Sequence, residues 1–218
     1  MTGRGGMGVA ELLALAPVVP VLTVEDAEQA VPLAEALVRG GLPALEVTLR
    51  TPAALDAIRA MSRVEGAVVG AGTLLTPRDI EAAVAAGARF GVSPGAPPRL
   101  LEAARSAGLP FLPGVATPTE ALTAAEQGFE ILKFFPAEAA GGAAVLKAWV
   151  APLRHLRFCP TGGIGAGNAP DYLALPNVLA VGGSWVAPAG PVAAGDWQRV
   201  EDLARSAARL RAASRARD

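Results

Sequence analysis

Residues 44–63 read ALEVTLRTPAALDAIRAMSR, and this stretch decides the fold class. Its opening alternates: Leu45, Val47 and Leu49 fall on one side of an extended chain, and Glu46, Thr48 and Arg50 on the other. Thr51-Pro52 follows, a hydroxyl cap with proline at a first helical position, the pairing that starts a helix. Residues 52–63 continue as an alanine-rich helical stretch. A strand therefore runs into a helix within twenty residues.

The same unit recurs on both sides. Strands are expected at 17–22, 44–49, 67–71, 89–93, 110–114, 130–135, 156–161 and 178–182. Helices are expected at 25–39, 52–63, 77–86, 97–107, 118–127, 139–150, 167–174 and 196–214, with an extra one near 9–15. Thr76-Pro77 and Thr117-Pro118 repeat the cap, and Glu120 stands where a capping box wants an acid. Gly40, Gly87, Gly108 and Gly128 sit just past helix ends. Alternating strands and helices make a parallel sheet with helical crossovers. Eight units in 218 residues point to a (β/α)8 TIM barrel with an extra N-terminal helix, near the lower length limit of that fold. The competing open doubly wound sheet has a glycine-rich first turn, and Thr23-Val24-Glu25-Asp26 has none. No linker divides the chain, so 9–218 reads as one domain behind a disordered tail over 1–8.

Composition fits that reading. Hydrophobic residues make up 52% and charged residues 18%, against a usual charged share of about 25%. Disorder is excluded, and the net charge of −1 advertises no nucleic acid. Mean hydropathy is high at +0.39, but the longest uncharged stretch, Tyr172 to Gly195, is broken by prolines and glycines and does not read as a membrane span. A parallel sheet buried on both faces absorbs such apolarity. Glu11 interrupts the only apolar run near the N-terminus, so no secretory signal is read, and the one cysteine, Cys159, needs no oxidising compartment. A cytoplasmic protein is expected.

Barrel chemistry sits at the C-terminal ends of the strands. There the second strand offers Glu46 and Arg50 toward the barrel mouth, where unpaired charge is costly. A structural ion pair is the plainer alternative. Lys133, inside Ile131-Leu132-Lys133-Phe134-Phe135, is flanked by apolar residues, and an even-numbered sixth strand can face Glu46 across the barrel. Desolvation favours the neutral amine, a nucleophile toward carbonyls; a snorkelling lysine is the alternative. The only other lysine, Lys147, reads as a solvated helix residue. Strands seven and eight end in Thr161-Gly162-Gly163-Ile164-Gly165 and Gly182-Gly183-Ser184-Trp185, where barrels commonly hold phosphate. His155 is the only histidine, which disfavours a histidine metal site or a Ser–His–Asp triad.

These residues resemble a known family. Glu46-Val47-Thr48-Leu49-Arg50, Gly70-Ala71-Gly72-Thr73, Ser93-Pro94-Gly95, Lys133-Phe134-Phe135-Pro136-Ala137-Glu138, Phe158-Cys159-Pro160-Thr161-Gly162-Gly163-Ile164 and Gly182-Gly183-Ser184-Trp185 are similar to motifs of the class I 2-keto-3-deoxy-6-phosphogluconate aldolases, also described as 4-hydroxy-2-oxoglutarate aldolases. The resemblance runs from about residue 9 to residue 212, with one departure at Ala116, where the family carries serine. It implies a Schiff base on Lys133, acid–base work by Glu46, a carboxylate held by Arg50 and Thr73 with Pro94 beside them, and Phe135 packed over the lysine. It further implies Thr161 at the substrate hydroxyls and phosphate held by Gly162, Gly163, Gly183 and Ser184. It implies no cofactor and no metal, a phosphorylated keto acid and pyruvate as ligands, and a homotrimer. The 6-phosphogalactonate epimer as substrate, and a non-catalytic phosphosugar-binding barrel, are the rival readings.

Overall fold

Every named strand pairing in the computed structural model, which describes residues 7–210, is parallel. In chain order the elements are α1 (Val9–Ala14), β1 (Val18–Leu22), a 3-10 turn (Ala27–Gln29), α2 (Ala30–Arg39), β2 (Ala44–Thr48), α3 (Ala54–Met61) and β3 (Val68–Gly72). Next come α4 (Pro77–Ala85), β4 (Gly91–Val92), α5 (Pro98–Ser106), β5 (Phe111–Leu112), β6 (Gly114–Val115), α6 (Pro118–Glu126) and β7 (Ile131–Phe134). The chain continues through α7 (Gly142–Trp149), β8 (Arg157–Phe158), α8 (Ala169–Leu173), β9 (Val181–Gly183), α9 (Ala189–Ala193) and α10 (Trp197–Ala208). One run of strands pairs in the order β5-β4-β3-β2-β1-β9 and a second in the order β6-β7-β8. The fifth expected strand is interrupted at Pro113, which has no N–H to give a ladder. The result is an α/β fold with a curled parallel sheet.

The two faces of the sheet bury different clusters. Leu45 and Val47 of β2 pack with Ala57 and Ile58 of α3 in the larger core, as the alternation requires. On the inner face Val19, Ala44, Val68, Phe90, Val92, Leu112, Cys159 and Ala180 form a separate cluster with Leu12 and Leu13 of α1. Burying Leu12 and Leu13 there stabilises by about 1.5–3 kcal/mol each relative to exposure. This apolar layer lies one step down the strands from the polar one: Glu46 follows Ala44 on the same face, and Thr161 follows Cys159.

Two caps form as expected. Thr76 and Thr117 accept from Asp79 and Glu120 N–H groups, and the acids bond back to the cap backbones. Thr51 does not cap: its Oγ1 donates to Val24 O at 2.5 Å, and α3 starts later, at Ala54. Past α2 the left-handed glycine is Gly41 (φ 90°), not Gly40. Gly40 instead lets α10 approach, since a Cβ there would lie 2.4 Å from that of Ala204. Of the expected tail, residues 1–6 lie outside the described residues, and Gly8 is already the N-cap of α1, its N–H bonded to Glu11 at 2.8 Å. The end of the last expected helix, 211–214, also lies outside them.

Candidate active site

Glu46 and Lys133 meet. Lys133 Nζ donates to Glu46 Oε1 at 3.1 Å, and the two residues are only 4% and 3% exposed. The strand registers explain the meeting. Glu46 pairs with Val21 on one side and Gly70 on the other, in the body of the larger sheet, while Lys133 pairs with Gly114 in the smaller one. Both side chains point to the inner face. Glu46 fits because its neighbour is Gly72: a Cβ there would lie 2.3 Å from Glu46 Oε1. An ion pair this buried recovers about its desolvation cost and adds little over apolar packing. A buried acid and amine that stability does not require are placed for chemistry. The Phe135 ring stands over the amine, its centroid 5.3 Å from Nζ.

Arg50 and Thr73 also come together, Arg50 Nε donating to Thr73 Oγ1 at 3.1 Å. Thr73 holds a positive φ of 60°, unusual for a β-branched residue and found where local geometry is over-determined. Pro94 lies beside the start of β6, where a Cβ on Gly114 would meet its carbonyl carbon at 2.3 Å. Ala116 contributes a backbone N–H to the Glu120 carboxylate at 2.7 Å, so this position acts here through its main chain.

The two glycine-rich ends are neighbours. A parallel bridge joins Thr161 to Gly182, which sets Gly162 and Gly163 beside Gly183 and Ser184. Thr161 is buried, and a Cβ on Gly182 would meet its Oγ1 at 2.3 Å. Gly162 and Gly163 both adopt left-handed conformations, φ 104° and 76°. Among the described residues their N–H groups and that of Ile164 have no protein acceptor, so they are free to meet an anion. A cavity of about 370 Å³ opens beside Ser184, with Thr23, Glu25, Gln29 and Pro188 also in its lining.

Cys159 lies in the apolar layer beneath. Burial pushes its thiol up to about 12, the Lys133 charge opposing this only in part. It is a packed thiol.

A family model for aldolases, described as KDPG and KHG aldolase, matches residues 9–203. The chain belongs to this family. Aldolases are carbon–carbon lyases. The KHG/KDPG aldolase of Escherichia coli (strain K12) is 50% identical over 197 residues, covering 90% of this chain and 92% of that protein. The crystal structure of the 2-keto-3-deoxy-6-phosphogluconate aldolase from Zymomonas mobilis superposes with a TM-score of 0.90 at 47% identity, over 93% of this chain and 97% of that one. The KDPG aldolase of Legionella pneumophila, solved with pyruvate captured as a covalent carbinolamine, gives 0.89 at 42% identity, over 91% and 97%.

Two residues that shape the candidate site carry only weak sequence signals. Gly72, in the small-residue end Ala71-Gly72-Thr73, reads in the sequence as room for a ligand; in the structure that room holds the Glu46 carboxylate. Asn168 went unnoticed; it donates from Nδ2 to Gly163 O at 3.2 Å and accepts from Gly165 N–H at 2.8 Å. The helix expected over 167–174 includes Asn168, but α8 starts at Ala169, which leaves the Asn side chain free to bond nearby backbone.

Proposed function

We propose that this chain is a Schiff-base aldolase that cleaves 2-dehydro-3-deoxy-6-phosphogluconate to pyruvate and D-glyceraldehyde 3-phosphate, with 4-hydroxy-2-oxoglutarate, cleaved to pyruvate and glyoxylate, as a second substrate. The observation that carries this is the buried Lys133–Glu46 contact of 3.1 Å. The two bridges from the β8 region to the β9 region, and the Pro113 break between β5 and β6, support a closed (β/α)8 barrel with α1 covering its lower end.

Lys133 Nζ attacks the C2 ketone once Glu46 has taken its proton. Glu46 returns a proton to the carbinolamine hydroxyl, water leaves, and a C2 iminium forms on the lysine. Glu46 next accepts the C4 hydroxyl proton while the C3–C4 bond breaks. The electron pair flows into the iminium to give an enamine, and the aldehyde departs. Protonation at C3 and hydrolysis of the imine release pyruvate and restore the lysine.

The Arg50 guanidinium and Thr73 hydroxyl hold the keto-acid carboxylate, with Pro94 at that end. Phe135 packs over the amine. Thr161 meets the substrate hydroxyls. Gly162, Gly163, Gly183 and Ser184 hold the phosphate, remote from C2, so its binding energy orients the bond that breaks. The single cysteine and the metabolic family support a cytoplasmic location, and the family resemblance supports a homotrimer.

The test is pyruvate release from the two C4 epimers of the phosphorylated acid, supplied separately. The reading requires turnover with the gluconate epimer as the preferred substrate. Preference for the galactonate epimer overturns the substrate assignment, and no pyruvate from either overturns the catalytic one.

A further inference from the structure

The two glycines proposed to meet phosphate are enclosed by a ring of contacts that the reaction chemistry does not use. Glu138 begins it. Its backbone N–H donates to Gly162 O at 3.0 Å, and its side chain closes on Gly163, where a Cβ would lie 2.7 Å from Glu138 Cβ and Cγ. The neighbouring Ala137 N–H donates to Thr161 O at 2.8 Å. The Glu138 carboxylate is then held by the hydroxyl of Tyr172 on α8. Tyr172 is almost wholly buried, and burial together with this hydrogen bond keeps its hydroxyl protonated as a donor. Asn168, just before α8, closes the ring on the Gly163 carbonyl and the Gly165 N–H.

An exposed carboxylate next to a phosphate site is electrostatically unfavourable unless its position serves a purpose. Here its Oε1 is tied to the helix that follows the glycines. The carbonyls of Gly162 and Gly163 are both fixed from this ring, and in a planar peptide a fixed carbonyl fixes the opposite N–H. We propose that Glu138 and Tyr172 are positioning residues that lock the Gly162–Gly163 peptides in the orientation that receives the substrate phosphate. The proposal rests on the phosphate reading above.

The experiment compares the wild type with Tyr172→Phe, Glu138→Ala, Glu138→Gln and Ser184→Ala. Two quantities are read: KM for the phosphorylated substrate, and the pyruvate concentration that half-saturates borohydride inactivation, which involves no phosphate. Tyr172→Phe and Glu138→Ala are expected to raise the phosphorylated-substrate KM about tenfold, as for one lost hydrogen bond to a charged group, with pyruvate half-saturation unchanged. Glu138→Gln still accepts from the tyrosine and retains a KM near that of the wild type. If Ser184→Ala raises KM selectively while Tyr172→Phe and Glu138→Ala do not, the positioning role is overturned and the phosphate reading stands. If Ser184→Ala shifts neither quantity, or both equally, the phosphate reading falls and the proposal with it. Should Tyr172→Phe fail to fold, the exposed Glu138 pair decides alone, because Ala and Gln must separate at that position.

Discussion

Lys133 Nζ and Glu46 Oε1 stand 3.1 Å apart although their residues are 87 positions apart, on β7 and β2. Nothing local produces this contact. It exists because the sheet curls, and because both residues alternate onto its inner face above an apolar layer.

Removing the acid tests whether the contact is chemical or structural. Glu46→Gln keeps the shape and a hydrogen-bond acceptor for the lysine. We expect kcat to fall by about 10²–10⁴ while pyruvate affinity changes little, as for loss of a general acid–base group. Equal losses in kcat and in pyruvate binding, from steady-state kinetics and calorimetry, would mark a structural ion pair.

Gly72→Ala tests the space behind the acid. The added Cβ would lie 2.3 Å from Glu46 Oε1, so the carboxylate must leave its place. Stability should drop by about 1–3 kcal/mol, the usual scale of overpacking, and kcat should fall with it. Full activity in Gly72→Ala would show that the position of Glu46 is not critical.

Cys159 should be inert in the folded protein, since its thiol is buried and pushed up to about 12. Iodoacetamide at pH 8 is expected to label it only after denaturation in urea, followed by mass spectrometry. Fast labelling of the native protein would contradict the packing of the inner layer.

Glu120 gives a pH prediction. Backbone hydrogen bonds, that from Ala116 foremost, lower its carboxyl below the ordinary 4.5. A carboxyl lowered in the folded state adds stability that is full above its unfolded value and lost as pH falls through the folded one. Glu120→Gln should therefore lower Tm by about 1–3 °C at pH 7, a helix N-terminal charge effect. That gap should shrink below pH 4.5. A gap independent of pH in thermal melts would show that charge plays no part in the cap.

Much of this architecture is legible in the sequence. The alternation in ALEVTLR assigned both faces of β2, and the Thr-Pro pairs at 76 and 117 capped their helices, because those signals are local. Thr51-Pro52 misled for the opposite reason: its hydroxyl found Val24, whose carbonyl comes from another strand end. The α9 segment, rich in alanine, glycine and proline, carries no helical periodicity to read. The Lys133–Glu46 meeting was legible because both charges alternate onto the inner face of a curled sheet, where a buried charge has few partners. The Tyr172–Glu138 contact was not, since a tyrosine on a short helix gives no sign of which loop its hydroxyl will reach.

The central claim, that Lys133 forms an imine with the keto acid, is tested most directly by reduction with borohydride in the presence of pyruvate, followed by peptide mass mapping. The chain has only two lysines, Lys133 and Lys147, so the assignment is unambiguous. The account predicts irreversible inactivation, with a reduced pyruvyl adduct on the Lys133 peptide alone. An adduct confined to Lys147, or inactivation without any adduct on Lys133, would contradict it.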